Sequence, residues 1–283
     1  MHNNDDDFKV LPQSGSKIED VILNFDKLLK SKNLKRILSD KPSNEGDSGF
    51  LYKLALNISN NSKKLYRKRD DANFDIINTW FSIIENKAIN YRFNSDFKKN
   101  GNISFDDLSN IAKLSLDESS IHWIDDFLLN NYGVILIIER AFTGMKLDGC
   151  SFCLLDGTPV VALSLRYSRY DNFWFTLMHE LSHVCLHYEQ LTTPILDDLD
   201  ITCDSEIEVE ANRVAADSLI PRKYARTVYR LKDSPSDLLS VSNSLNLHPI
   251  IVAGAIRNKF KNYYIFSELV NSINIRKELG IDD

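Results

Sequence analysis

Two histidines four residues apart, with a glutamate directly after the first, are the part of this sequence equipped to do chemistry. His179-Glu180-Leu181-Ser182-His183 lies inside an apolar stretch, Asn172 to Glu189, that contains no Pro or Gly. On a helix, residues four apart stack on one face, so both imidazoles can reach one metal ion while Glu180 projects beside them. Two neutral imidazole nitrogens suit Zn²⁺, and a carboxylate at the intervening position is placed to accept a proton from water held there. Asp171 or Asn172 is the expected N-cap of this helix. The plainer reading of the same residues is a helix with two buried structural histidines, and a third ligand separates the two readings.

That ligand is sought in Glu206 to Ala216 (EIEVEANRVAA), an expected second helix that ends before Pro221. Three glutamates compete. Glu208 is favoured because Ala211, about one turn on, lets two helices approach, and because Asn212 is placed to hydrogen-bond a liganding imidazole. Glu210 is the substitute, and Glu206 the third choice. The completed set would be His₂Glu with an open fourth position. His187 extends the pattern to HExxHxxxH, but successive steps of four lift its ring more than about 10 Å from the first, so it is expected beside the ligands or in packing. A three-histidine site would need Gly at 186 and His at 189, where the chain has Leu186 and Glu189.

Elements must position these residues. Val134 to Glu139 (VILIIE) reads as a buried strand, and Cys150 to Leu155 with Pro159 to Leu165 as a hairpin turning at Asp156-Gly157. A small sheet thus directly precedes the metal-binding helix. In thermolysin-like zinc peptidases such a sheet offers an edge strand to which substrate backbone adds. Upstream, apolar spacing predicts helices over Ile18 to Leu38, Phe50 to Ile58, Phe74 to Tyr91, Phe105 to Ser115 and Ser119 to Tyr132, the last ended by Gly133. Met1 to Lys17 is expected to fray, and Ser39 to Gly49 to form a loop. Asp237 to Leu245 and Ile250 to Lys261 read as two helices at helix-turn-helix spacing. The expected organisation is a helical region over 1–73, a metal-binding domain over 74–221 and a helical region over 222–283.

A net charge of −6, with 43% hydrophobic and 26% charged residues, argues against nucleic-acid binding through a globally basic surface. Local basic segments exist. Lys63 to Arg69 is one, read as a solvated helix face, and between Arg222 and Lys261 eight Lys or Arg stand against two Asp. The second segment could give weak contact with DNA or an acidic partner. No apolar run is long enough to span a bilayer and the N-terminus is acidic, so the expectation is a cytoplasmic protein with no membrane partner. Cys150, Cys153, Cys185 and Cys203 lack the spacing of a zinc site and are read as small buried residues.

The stretches LDGCSFCLLDGTPVVALSLRYSRYDNFWFTLMHELSHVCLH, EIEVEANRVAADSLIP and LNLHPIIVAGAIRNKF together resemble the ImmA/IrrE family of bacterial metallopeptidases, nearest to members linked to helix-turn-helix regulators of the antitoxin type. The likeness runs from about Asn131 to Phe260. It implies an α+β fold of the zincin-like, gluzincin kind, a small sheet on the HExxH helix with mostly helical regions before and after it. It also implies a zinc-dependent endopeptidase acting on a regulatory protein, a helix-turn-helix repressor in a stress-response, phage or toxin-antitoxin context. His179 and His183 match the family's metal histidines, Glu180 its catalytic base, and Glu208 its glutamate ligand. Tyr167, Tyr170, Arg166 and Arg169, just before the helix, are candidate oxyanion donors. No helix-turn-helix is evident in Lys17 to Arg69, which favours a repressor supplied as a separate chain. The alternative is a non-proteolytic antitoxin-like regulator or interaction module with a structural or vestigial metal site. The intact Glu180 argues against it, since a structural site needs no base.

Overall fold

The computed structural model describes residues 18–65, 74–95, 103–197, 205–232 and 234–281, in two compact units, 1–69 and 70–283. Met1 to Lys17, the side chains of the Lys63 to Arg69 run, and Cys203 lie outside the described residues. The first unit holds α1 (Ile18–Leu29), α2 (Leu34–Ser39) and α3 (Asp47–Leu65). The stripe expected to run unbroken to Leu38 stops because the Ser31 hydroxyl accepts from the Asn33 N–H at 3.1 Å, a local bond that competes with the helix ladder. Val21, Leu28, Ile37, Leu51, Leu54 and Ile58 are buried, whereas Ile18, Ile22 and Leu29 of the same stripe are exposed.

The second unit runs α4 (Phe74–Asn94), α5 (Phe105–Lys113), α6 (Ile124–Tyr132), β1 (Ile135–Ile138), β2 (Gly149–Cys153), β3 (Pro159–Leu163), α7 (Tyr170–Leu186), β4 (Ile195–Asp197), α8 (Glu206–Leu219), α9 (Arg222–Arg230), α10 (Leu238–Leu245), α11 (Pro249–Phe260), α12 (Ser267–Val270) and α13 (Ile275–Glu278). This is the expected α+β class. The sheet order is β1-β3-β2-β4, with β1 parallel to β3 and β2 antiparallel to both neighbours. The hairpin is wider than its Asp156-Gly157 signal suggests. The Gly157 N–H donates to the Leu154 carbonyl and the Leu154 N–H to the Thr158 carbonyl, with Gly157 left-handed at φ 78°. β4 has no forerunner in the sequence reading; it pairs with Gly149 to Ser151 and makes β2 an inner strand.

Alternation along β2 assigns its two faces. Phe152 meets Phe81 of α4 edge-on at 5.0 Å, and the Trp80 indole of the same helix donates to the Glu139 carbonyl at 3.1 Å. Ser151 faces the other way, toward α7. Cys150 and Cys153, three apart on one strand, therefore point to opposite faces and cannot grip one ion together. α7 begins at Tyr170, earlier than the Asp171 or Asn172 cap expected, with Arg169 as N-cap. Tyr170 is fully buried, donating to the Ser115 carbonyl at 2.8 Å, so it anchors the first turn instead of preceding it.

The C-terminal helices pack within this same unit. α10 and α11 bend by 108° at the 246–248 turn, a helix-turn-helix angle, yet Ile250 to Gly254 and Ile256 of α11 are buried. Among the described residues, no single helix is long and apolar enough to cross a membrane. His248 caps α11: its Nδ1 accepts from the Ile250 N–H at 3.2 Å and its Nε2 lies 3.2 Å from a Glu118 carboxylate oxygen. Only a neutral ring with its proton on Nε2 fits both contacts. Burial depresses the His248 pKa, with Glu118 partly opposing. A His held below its unfolded pKa contributes stability at neutral pH that is lost as pH falls through the ordinary His range. Thermal unfolding followed from pH 7 down to about pH 5.5 should show a steeper loss for the wild type than for His248→Asn, which keeps a capping oxygen but cannot titrate. Equal pH slopes would show that folding does not shift the His248 pKa.

Candidate metal centre

α7 and α8 pack against each other, and Ala211 and Ala215 in α8 are fully buried, which lets the two backbones close up. His179 and His183 stand one turn apart, fully buried, with ring centroids 4.8 Å apart. Glu208 enters from the first turn of α8, where the helix N-terminus favours a carboxylate. The three donor atoms form a near-regular triangle: 3.1 Å between the two Nε2 atoms, 3.3 Å from His179 Nε2 to Glu208 Oε2, and 3.5 Å from His183 Nε2 to the same oxygen. Zn–N and Zn–O bonds of 2.0–2.1 Å in a tetrahedron set ligand atoms about 3.3 Å apart. The triangle thus has the size that a small tetrahedral cation needs, and the cluster could hold a metal ion.

The remaining polar groups on α7 and α8 sort themselves around this triangle. His187, the C-cap of α7, places Nδ1 3.2 Å from His183 Nδ1 and Nε2 3.2 Å from Glu210 Oε2. One protonation pattern satisfies the row. His183 donates from Nδ1 to His187 Nδ1, His187 donates from Nε2 to Glu210, and the His183 Nε2 lone pair is left facing the triangle. Glu210, the substitute ligand in the sequence reading, therefore holds His187 and stays outside the cluster; two residues on from Glu208 it is turned about 200° around the helix. Asn212 does not supply the ring contact at His183, which comes from His187; it is exposed, in the wall of an adjoining cleft.

Glu180 is fully buried against β2. The Ser151 hydroxyl donates to its Oε2 at 2.6 Å, and a Cβ on Gly149 would come within 2.2 Å of its Oε1. Gly149 and Ser151 thus form a seat for this carboxylate that the sequence reading passed over. Their signal was there: a glycine inside a strand marks the close approach of another group. Of the four oxyanion candidates, Tyr167 and Arg169 line the cleft. Arg166 turns to Asp148 at 3.5 Å, and Tyr170 is committed to Ser115, its phenol pushed up to about 12 by burial.

Metal titration of the purified chain should give one tightly bound divalent ion, lost in His179→Ala and His183→Ala, weakened in Glu208→Gln and retained in Glu210→Gln. Loss with Glu210→Gln but not Glu208→Gln would overturn the triangle. Gly149→Ala should lower thermal stability by about 1–3 kcal/mol through overpacking against Glu180. Gly46→Ala, where nothing lies within 4 Å of an added Cβ, is the control and should stay near wild type.

Among the comparisons with known proteins, residues 132–246 match the model of the Peptidase_M78 family, described as the IrrE N-terminal-like domain. No curated protein and no solved structure matches the chain.

Proposed function

We propose, from the match of residues 132–246 to the IrrE N-terminal-like domain model of the Peptidase_M78 family and from the motifs that resemble it, that the chain is a zinc-dependent endopeptidase. The observation that carries the reading is the pairing of the His179, His183 and Glu208 triangle with Glu180, which directly follows His179 and is seated against Gly149 and Ser151 of β2. The three ligands would hold the ion. Zinc, when bound, supplies a Lewis acid for the scissile carbonyl and lowers the pKa of water.

The chain's own residues do the rest. Glu180 accepts the proton of the attacking water and passes it to the departing amine, the double duty of a general base that becomes a general acid. The Ser151 hydroxyl fixes the rotamer of that carboxylate, so no conformational search precedes the transfer. Glu210 acts through His187 on His183, holding the ring in one tautomer. Tyr167 and Arg169, on the cleft wall before α7, are the donors available to a developing oxyanion. The finer reading, supported by the motif resemblance alone, is that the substrate is a cytoplasmic regulator, a helix-turn-helix repressor encoded as a separate chain. The cut would fall in a linker or locally unfolded loop, since only an extended segment can reach ligands this buried.

Glu180→Gln tests the reading. The amide keeps the shape and the Ser151 contact but cannot take a proton, so the variant should retain its metal and its unfolding temperature. It should lose at least about 10²-fold in cleavage of a cognate repressor, the scale of a missing general base. A wild-type protein that binds the repressor tightly without chelator-sensitive cleavage would instead favour a binding module.

A further inference from the structure

On α7 and α8, about one turn from the ligands, residues line a cleft of about 810 Å³. Its walls begin where the metal centre ends. Phe175 lies one turn before His179 with its ring 6.4 Å away, Asn212 one turn after Glu208, and Asp148 next to the Gly149 that seats Glu180. α11 supplies a further wall through Ile251, Gly254 and Asn258. A space of this size can take several side chains of an extended polypeptide.

The cleft is cationic in a chain whose net charge is −6. Arg169, Arg257, Lys259 and Lys261 line it against Asp148 and Asp171. Both carboxylates are engaged, Asp148 with Arg166 at 3.5 Å and Asp171 with Arg169 at 3.0 Å. Arg257 is the informative group. It is only 5% exposed, its Nη2 donates to the Tyr263 carbonyl at 2.7 Å, and its Nη1 is buried with no hydrogen-bond partner. A buried guanidinium donor left unused calls for an explanation. Burial first, and the like charge of Arg169 second, disfavour its cationic form, with Asp171 and Tyr263 opposing; a further anion in the cleft would act in the same sense as Asp171. Lys259 and Lys261 follow it at the exposed end of α11, so the positive charge extends outward from a buried anchor.

We propose that this cleft is a subsite for an acidic stretch of the polypeptide held at the metal centre, with Arg257 taking one aspartate or glutamate side chain and Lys259 and Lys261 the neighbouring ones. The inference rests on the endopeptidase reading for what the centre holds. It also gives three cations of the basic C-terminal segment, Arg257, Lys259 and Lys261, a role: they meet an acidic protein segment in the cleft.

The test reads binding, not cleavage. The probes are fluorescein-labelled, C-terminally amidated short peptides alternating serine with glutamate, glutamine or lysine, titrated into the full-length, zinc-loaded Glu180→Gln protein and followed by anisotropy. The glutamate peptide should bind at least about tenfold tighter than the glutamine peptide, with affinity falling as salt rises. Arg257→Gln should abolish that preference, provided its unfolding curve shows it folded. The exposed pair Lys259→Gln with Lys261→Asn, the second chosen because asparagine tolerates the left-handed backbone at φ 50°, should reduce it about fivefold and decides the matter if Arg257→Gln does not fold. Equal binding of the glutamate and glutamine peptides, or an unchanged preference in the lysine pair, would overturn the subsite. So would a DNA duplex that binds more tightly and depends on the same residues. Because no hydrolysis is needed, a folded chain that cuts nothing can still pass, and an active peptidase indifferent to acidic residues fails the subsite alone.

Discussion

Three electron-pair donors, two imidazole nitrogens and a carboxylate oxygen, are held 3.1–3.5 Å apart on buried side chains. Buried polar groups at such distances need either shared protons or a cation, and for three convergent lone pairs a cation answers all of them at once. The geometry around them serves to hold that convergence. α7 is buried through most of its length, so its register against the sheet is set by packing on both sides of the ligand face. α8 can bring Glu208 in only because alanines line its contact with α7. His187 and Glu210 finish the arrangement by deciding which nitrogen of His183 carries the proton.

The sheet contributes position more than surface. β2 alternates between aromatic packing on α4 and the seat for Glu180, so one strand fixes both the core and the base. A one-residue slip in its register would exchange Phe152 with Ser151 and ruin both functions. β4 changes how an extended segment can approach. It occupies the outer edge of β2 across Gly149 to Ser151, so a strand adding to this sheet must do so at β1, on the outside of β4, or in place of β4. The simple expectation of an open edge beside the helix therefore does not hold for the strand that touches Glu180.

What was legible in the sequence followed regular periodicity. Helix spacing put His179 and His183 on one face with Glu180 beside them, and α8 begins at Glu206 and ends before Pro221, as its glutamates and that proline suggested. The choice of Glu208 over Glu210 was legible in part: Ala211, one turn on, is buried, whereas Asn212, the other reason for it, is exposed and the ring contact at His183 comes from His187. Short elements were not. β4 has three residues, too few for alternation to register, and α12 and α13 have four each. Tyr170 misled as an oxyanion candidate because proximity in sequence says nothing about which way a first-turn side chain points. Ser151 and Gly149 needed the strand pairing before their relation to Glu180, some thirty residues away, could be seen.

The least legible part is the one that shapes the cleft. Leu165 sits in the left-handed region at φ 46°, a strained conformation for a leucine, at the start of the loop that presents Tyr167 and Arg169. The strain is held by Arg276 of α13, whose guanidinium donates to the Leu165 carbonyl at 2.9 and 2.6 Å and to the Arg166 carbonyl at 2.5 Å, while the Ile275 N–H donates to the Ser168 carbonyl at 2.7 Å. No motif marks Arg276, because its partners are carbonyls and every residue has one. The same holds on the opposite wall, where Asp171 lies so close to Gly254 that a Cβ there would meet its Oδ2 at 2.4 Å. Only a glycine lets α11 come near enough to set Arg257 beside Arg169 and Asp171. The charge of this cleft is thus a consequence of backbone approach: two guanidiniums that repel each other are brought to one carboxylate, and the imbalance left over is what an acidic ligand would meet.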